Sequence, residues 1–148
     1  YMVLPEVLLK KYREKLSFIV CPVPTIEQKV LQRFIEDGHF ERHITRMRNI
    51  YKRKREVLVG ELIDYKGKID ILGADAGLHL LLRVNNGMSE EQLLKKAHEA
   101  GVGVYGVSNY YYGKRSFDEV STVLLGYAGM DDQDIRKAVG RLMKSWFL

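Results

Sequence analysis

Two histidines open the search for chemistry. His39 and His43 are four residues apart, a spacing that puts both imidazoles on one face of a helix and suits a pair of metal ligands. Neither an HExxH pattern nor an evident third donor accompanies them, so they read as helix surface and no metal is expected. Cys21 and Ser108 are nucleophile types, but neither sits in a GxSxG elbow. Gly101-Val102-Gly103 follows a helical stretch and enters an extended one, the reverse of the order a phosphate-cradling loop requires. No catalytic residue is assigned. His79, in Ala76-Gly77-Leu78-His79, enters an apolar strand. Alternation puts its imidazole on the face opposite Leu78 and Leu80, where it is either an edge histidine or a ligand-facing one.

The remaining chemical signal is positive charge. Residues 39–55 carry Arg42, Arg46, Arg48, Lys52, Arg53, Lys54 and Arg55 against Glu41 alone, while the whole chain has a net charge of +5. The protein is therefore basic in one segment only. Such a stripe can meet a phosphate backbone or an acidic partner, with Tyr51 available to stack on a base. It can equally be the wet side of a scaffold helix. A regular apolar face interrupts the cations, which favours the scaffold.

The elements that must position these groups follow from periodicity. Val7, Leu8, Tyr12 and Leu16 space a helix over Glu6 to Leu16. Pro22 and Pro24 force an extended or looped stretch from Ser17. Thr25 opens a second helix with Gln28 at capping-box spacing, and Gly38 suits its left-handed stop. Phe40, Ile44, Met47, Tyr51, Leu58 and Leu62 predict one long amphipathic helix from His39 to Tyr65. A strand pair is expected around Gly73 to Gly77, with Ile69 and Ile71 before it and Leu78 to Val84 after. Ser89 and Gln92 form a second capping box, and Gly101 ends that helix. Val102 to Tyr105 reads as a strand, Tyr110 to Asp118 as loop, and Val120 to Tyr127 as a strand. Asp131 caps a last helix whose face is Ile135, Val139, Leu142, Met143 and Trp146. The order β-β-α-β-β-α after the long helix predicts an α+β layer: a small, mostly antiparallel sheet with helices on one face.

Composition agrees with a packed protein. The chain has 148 residues, of which 46% are hydrophobic and 29% charged, enough for one sizeable core and unlike a disordered segment. Its single cysteine excludes an internal disulfide and fits a reducing cytoplasm. No apolar run approaches a membrane span, and no signal-peptide layout opens the chain. It begins at Tyr1 without a Met and is read as a piece of a longer protein.

Five blocks, in order, resemble a known family over nearly the whole chain. Tyr1-Met2-Val3-Leu4-Pro5 is similar to the stretch just after the cofactor lysine in the MocR-type branch of GntR regulators. Gly38 to Arg48 resembles that branch's long-helix motif. Ala76 to His79, Gly101 to Tyr105 with Ser108, and Leu125-Gly126-Tyr127-Ala128-Gly129 resemble its later blocks. The resemblance implies an N-terminal winged helix that binds DNA, joined to a region like a fold type I aminotransferase. That region would bind pyridoxal 5′-phosphate and sense a small amine, an amino acid or the cofactor itself.

On this resemblance, residues 1–38 are the tail of the large domain, and residues 39–148 are the connecting helix and the small domain. The Schiff-base lysine and the other cofactor-binding groups would lie upstream, so no cofactor ligand is assigned here. The effector-pocket candidates are His79, Ser108, Tyr110 and Leu124. Leu124 falls where related aminotransferases carry an arginine that grips the substrate carboxylate in a two-pronged contact, which leucine cannot make. A cytoplasmic homodimer is implied, reaching DNA through the winged helix. Two other readings stay open: a fragment of a genuine aminotransferase, and a basic-helix module that binds nucleic acid or protein.

Overall fold

The computed structural model describes residues 2–20, 22–75, 77–110 and 121–148. They divide into two compact units, Tyr1–Ile44 and Thr45–Leu148.

The first unit is helical. Helix α1 spans Glu6–Leu16 and α2 spans Thr25–Glu36; neither buries a residue. The expected capping box on α2 does not form as drawn. Thr25 is already helical, Pro24 stands at the cap with φ of −57°, and the Gln28 side chain donates to the Val23 carbonyl at 2.9 Å. Proline brings a preset φ for helix entry and no side-chain acceptor, so the turn starts without one. Gly38, at φ of 71°, turns the chain into α3, His39–Ile63. Phe34 collects the rings around this corner. It stacks on His39 at 5.9 Å and meets Phe40 and His43 edge-on at 6.4 and 6.5 Å. The two histidines thus pack around an aromatic ring. Among the described residues no group of three or more His, Cys, Asp or Glu side chains is placed to hold a metal ion.

The second unit holds the core. Helix α3 stops at Ile63, two residues before the expected Tyr65. The chain tightens there, with the Tyr65 and Lys66 amides donating to the Leu62 and Ile63 carbonyls at 3.0 and 3.1 Å. Strands β1 (Ile69–Leu72), β2 (His79–Val84), β3 (Tyr105–Gly106) and β4 (Ser121–Gly126) form one sheet in the order β1-β2-β4-β3, every neighbour antiparallel. Helix α4 is Glu90–Glu99 and α5 is Asp132–Phe147. The Ser89–Gln92 capping box is present on α4, and Asp131 accepts from the Asp134 amide to cap α5.

The expected strand from Val102 is shorter than drawn. Gly101 takes φ of 72°, and the Val102 and Gly101 amides donate to the Ala97 and His98 carbonyls at 2.9 Å each. This closes α4 with the paired bonds of a Schellman motif. Val102 is thereby committed to the helix end, and only Tyr105 and Gly106 reach the sheet. Tyr110, expected to begin a loop, instead ends a 3₁₀ turn, Ser108–Tyr110; residues 111–118 of that expected loop, and Val120, lie outside the described residues.

One core joins helices to sheet. Leu58 and Leu62 of α3, Leu93 and Ala97 of α4, and Ile135, Val139, Leu142, Met143 and Trp146 of α5 pack on Leu80, Leu82, Val84, Val123 and Leu125. These strand residues alternate along β2 and β4, so all three helices cover one face. The buried indole of Trp146 donates to the Leu93 carbonyl at 3.1 Å, satisfying its one polar group inside the core.

Candidate functional site on the open sheet face

With the helices on one face, the odd-numbered positions of β2 and the even-numbered positions of β4 line the other. The register arranges them in rows. Leu72, Leu81, Leu124 and Tyr105 are successive cross-strand partners, an apolar row that crosses all four strands. Directly opposed residues project to the same side. Leu72, Leu81 and Leu124 are half-buried, and Tyr105 is 60% exposed.

His79 heads the adjoining row, paired with Gly126. A Cβ at Gly126 would lie 3.2 Å from the His79 Cδ2 and 3.4 Å from its Nε2. The glycine therefore lets the imidazole lie across the neighbouring strand. A row on the far side holds Asp70, Arg83 and Thr122. The face as a whole offers one imidazole, one phenol and an apolar centre, with its charge confined to one end.

The approach to His79 is fixed from behind. The Tyr127 hydroxyl donates to the Gly77 carbonyl at 2.7 Å, and the Tyr127 amide donates to the Leu78 carbonyl at 3.3 Å. The phenol is buried, and Gly77 has φ of 87°, a left-handed turn that glycine adopts without strain.

The cations of α3 hold the turns at this same end. Arg55 donates to the carbonyls of Ala74 and Asp75 at 3.1 and 3.3 Å, in the β1–β2 connection. Lys54 donates to the Ala128 carbonyl at 2.7 Å, and Arg53 pairs with Asp132 at 2.8 Å, both just after β4. Arg136 of α5 reaches back to Glu61. Part of the basic stripe is therefore internal tethering rather than a surface for phosphates.

The four sequence candidates do not all share one place. His79 and Leu124 lie on the open face, two positions apart along β4 by register. Ser108 and Tyr110 lie beyond β3, past the Ser121 end of β4. The Ser108 hydroxyl donates to Glu90 Oε1 at 2.6 Å, so it is engaged by α4. Tyr110 is 75% exposed. Sequence reasoning missed Tyr105, Glu90 and the tethering roles of Lys54 and Arg55. Alternation alone could have found Tyr105; the others depend on contacts across 17 to 74 residues.

No described helix is long and apolar enough to cross a membrane. The chain is 34% identical over 147 residues to the HTH-type transcriptional regulator YhdI of Bacillus subtilis, covering 99% of this chain and 31% of that protein. It is 26% identical to the probable rhizopine catabolism regulatory protein MocR of Rhizobium meliloti, covering 99% of this chain and 29% of that one. The chain thus spans about a third of the length of these relatives. Its fold superposes on LysN, the alpha-aminoadipate aminotransferase of Thermus thermophilus solved with N-(5′-phosphopyridoxyl)-L-leucine. The TM-score is 0.75 and the identity 22%, over 96% of this chain and 36% of that one. The family model for aminotransferase class I and II matches residues 1–142, and the chain belongs to that family.

Proposed function

We propose that this chain is the C-terminal part of the effector-sensing, aminotransferase-like region of a MocR-type transcriptional regulator. In this reading residues 1–38 end the large domain, and the long helix leads into a small domain built by the rest. DNA is reached through a winged helix elsewhere in the protein. The protein works as a homodimer in the cytoplasm, where its DNA is.

The family works with pyridoxal phosphate, which requires a lysine for the Schiff base, a carboxylate for the pyridine nitrogen and donors for the phosphate. The rows of this face hold no lysine, and their carboxylate and cation, Asp70 and Arg83, are cross-strand partners of each other, so the cofactor is anchored by other parts of the protein. The open face contributes the ligand-facing wall. The observation that carries the reading is Leu124 at the centre of that wall, in a chain whose relatives are regulators. The apolar row through Leu124 cannot offset a desolvated carboxylate, and Arg83, in the row beyond it, has Asp70 as its cross-strand partner. The effector is therefore a small amine without an α-carboxylate, or pyridoxal phosphate itself, and His79 contacts it from the adjoining row.

The test uses the full-length protein, pyridoxal phosphate and DNA from upstream of its own gene. DNA binding that shifts when pyridoxal phosphate is added, with slow or absent amino-group exchange, supports a regulator. A folded His79→Ala protein should respond more weakly. Rapid turnover of α-amino acids without DNA binding would make the protein an ordinary aminotransferase instead.

A further inference from the structure

Glu90 is the first residue of a capped helix, where a carboxylate is already favoured by the helix dipole. Its side chain turns away from its own helix. Oε2 accepts from the amides of Val107 and Ser108 at 2.9 and 3.1 Å, and Oε1 accepts from the Ser108 hydroxyl at 2.6 Å. One half-buried carboxylate thus satisfies three donors of a turn 17 and 18 residues away. Charge-assisted bonds of this kind are about twice as strong as neutral ones.

The approach depends on the residue beside it. A Cβ at Gly106 would lie 2.3 Å from Glu90 Oε1 and 2.8 Å from its Cδ. Any other residue at position 106 would push the carboxylate off the turn. Val107 is 8% exposed, so its amide has little recourse to water once Glu90 is gone. The turn then closes on itself, with the Tyr110 amide donating to the Val107 carbonyl at 3.0 Å, and presents the exposed Tyr110 side chain.

We infer that Glu90 is a positioning residue: its carboxylate sets the turn from Val107 to Tyr110, and so where Tyr110 meets a ligand. The inference rests on the effector-site reading for its functional half and on geometry alone for its structural half. The hydroxyl of Ser108 serves the latch, and the exposed Tyr110 side chain is the part of the turn offered to an effector.

The experiment compares Glu90→Ala and Glu90→Gln in the full-length protein. Glutamine keeps one carbonyl oxygen for the two amides, and its NH2 can donate to the Ser108 hydroxyl, so it preserves the latch without the charge. Hydrogen–deuterium exchange is read on the peptide spanning residues 102–110, with a core peptide of α5 as reference. Exchange should quicken about tenfold or more in Glu90→Ala and stay near wild type in Glu90→Gln, the reference being unchanged in both. With pyridoxal phosphate present, the half-saturating concentration of phenethylamine should rise about tenfold in Glu90→Ala alone. Unchanged exchange in Glu90→Ala overturns the latch. Faster exchange with an unchanged phenethylamine response overturns the positioning role. A wild-type protein indifferent to phenethylamine overturns the amine half of the effector reading, while exchange still decides the latch.

Discussion

Helices α2 and α5 carry the same kind of pattern and meet opposite fates. Ile26, Val30, Leu31, Phe34 and Ile35 line one side of α2, yet none is buried; Ile26 remains 78% exposed and Val30 64%. Ile135, Val139, Leu142, Met143 and Trp146 line one side of α5, and all five are buried. The 3.6-residue period states which side of a helix is apolar. It does not state what covers that side. For α5 the cover is a sheet encoded within the same unit of the chain. For α2 its own unit meets Phe34, through His39, Phe40 and His43, and leaves Ile26 and Val30 exposed.

That contrast can be broken first in the core. Leu82, fully buried in β2, should cost about 2–5 kcal/mol when changed to alanine, because a cavity is left that the sheet cannot close. Val30→Ala in the isolated chain should cost less than about 0.5 kcal/mol. Urea unfolding of both variants measures the gap; equal losses would mean that α2 is packed in solution. A smaller effect concerns association. The exposed apolar residues of α1 and α2 should draw the isolated chain into dimers or larger species. Ile26→Lys with Val30→Lys should shift light scattering toward monomer while moving the unfolding midpoint little. A wild-type chain that stays monomeric at high concentration would remove the sticky face from the account.

Legibility in the sequence divides along a related line. Features closed within a few residues were readable: the Ser89–Gln92 box, the Asp131 cap, the Gly101 stop and the face of α5. The same spacing misled at Thr25 and Gln28, because Pro24 already supplied the helix entry. Val102 was read as strand because its β-branched type fits one, yet its amide had to close α4. Of the candidate site, the face His79 lies on was readable from alternation, and Leu124 was singled out only through the resemblance. The row from Leu72 through Leu81 and Leu124 to Tyr105 needs the register of three strand pairs, which no local spacing encodes. Glu90 shows no local sign at all, since its partners lie a helix away in sequence. The cations of α3 looked like a wet stripe because carbonyl acceptors in distant turns cannot be seen in a composition.

The central claim is that an apolar wall around Leu124 selects against an α-carboxylate. Phenethylamine and phenylalanine differ by that group alone, so titrating both into the full-length, pyridoxal phosphate-loaded protein tests the claim directly. Wild type should respond to phenethylamine at least as strongly as to phenylalanine. Leu124→Arg should move the preference toward phenylalanine by about tenfold or more, since an arginine–carboxylate pair is two-pronged and charge-assisted. A wild-type protein that binds phenylalanine strongly and ignores phenethylamine would contradict the claim and require another residue to grip the carboxylate.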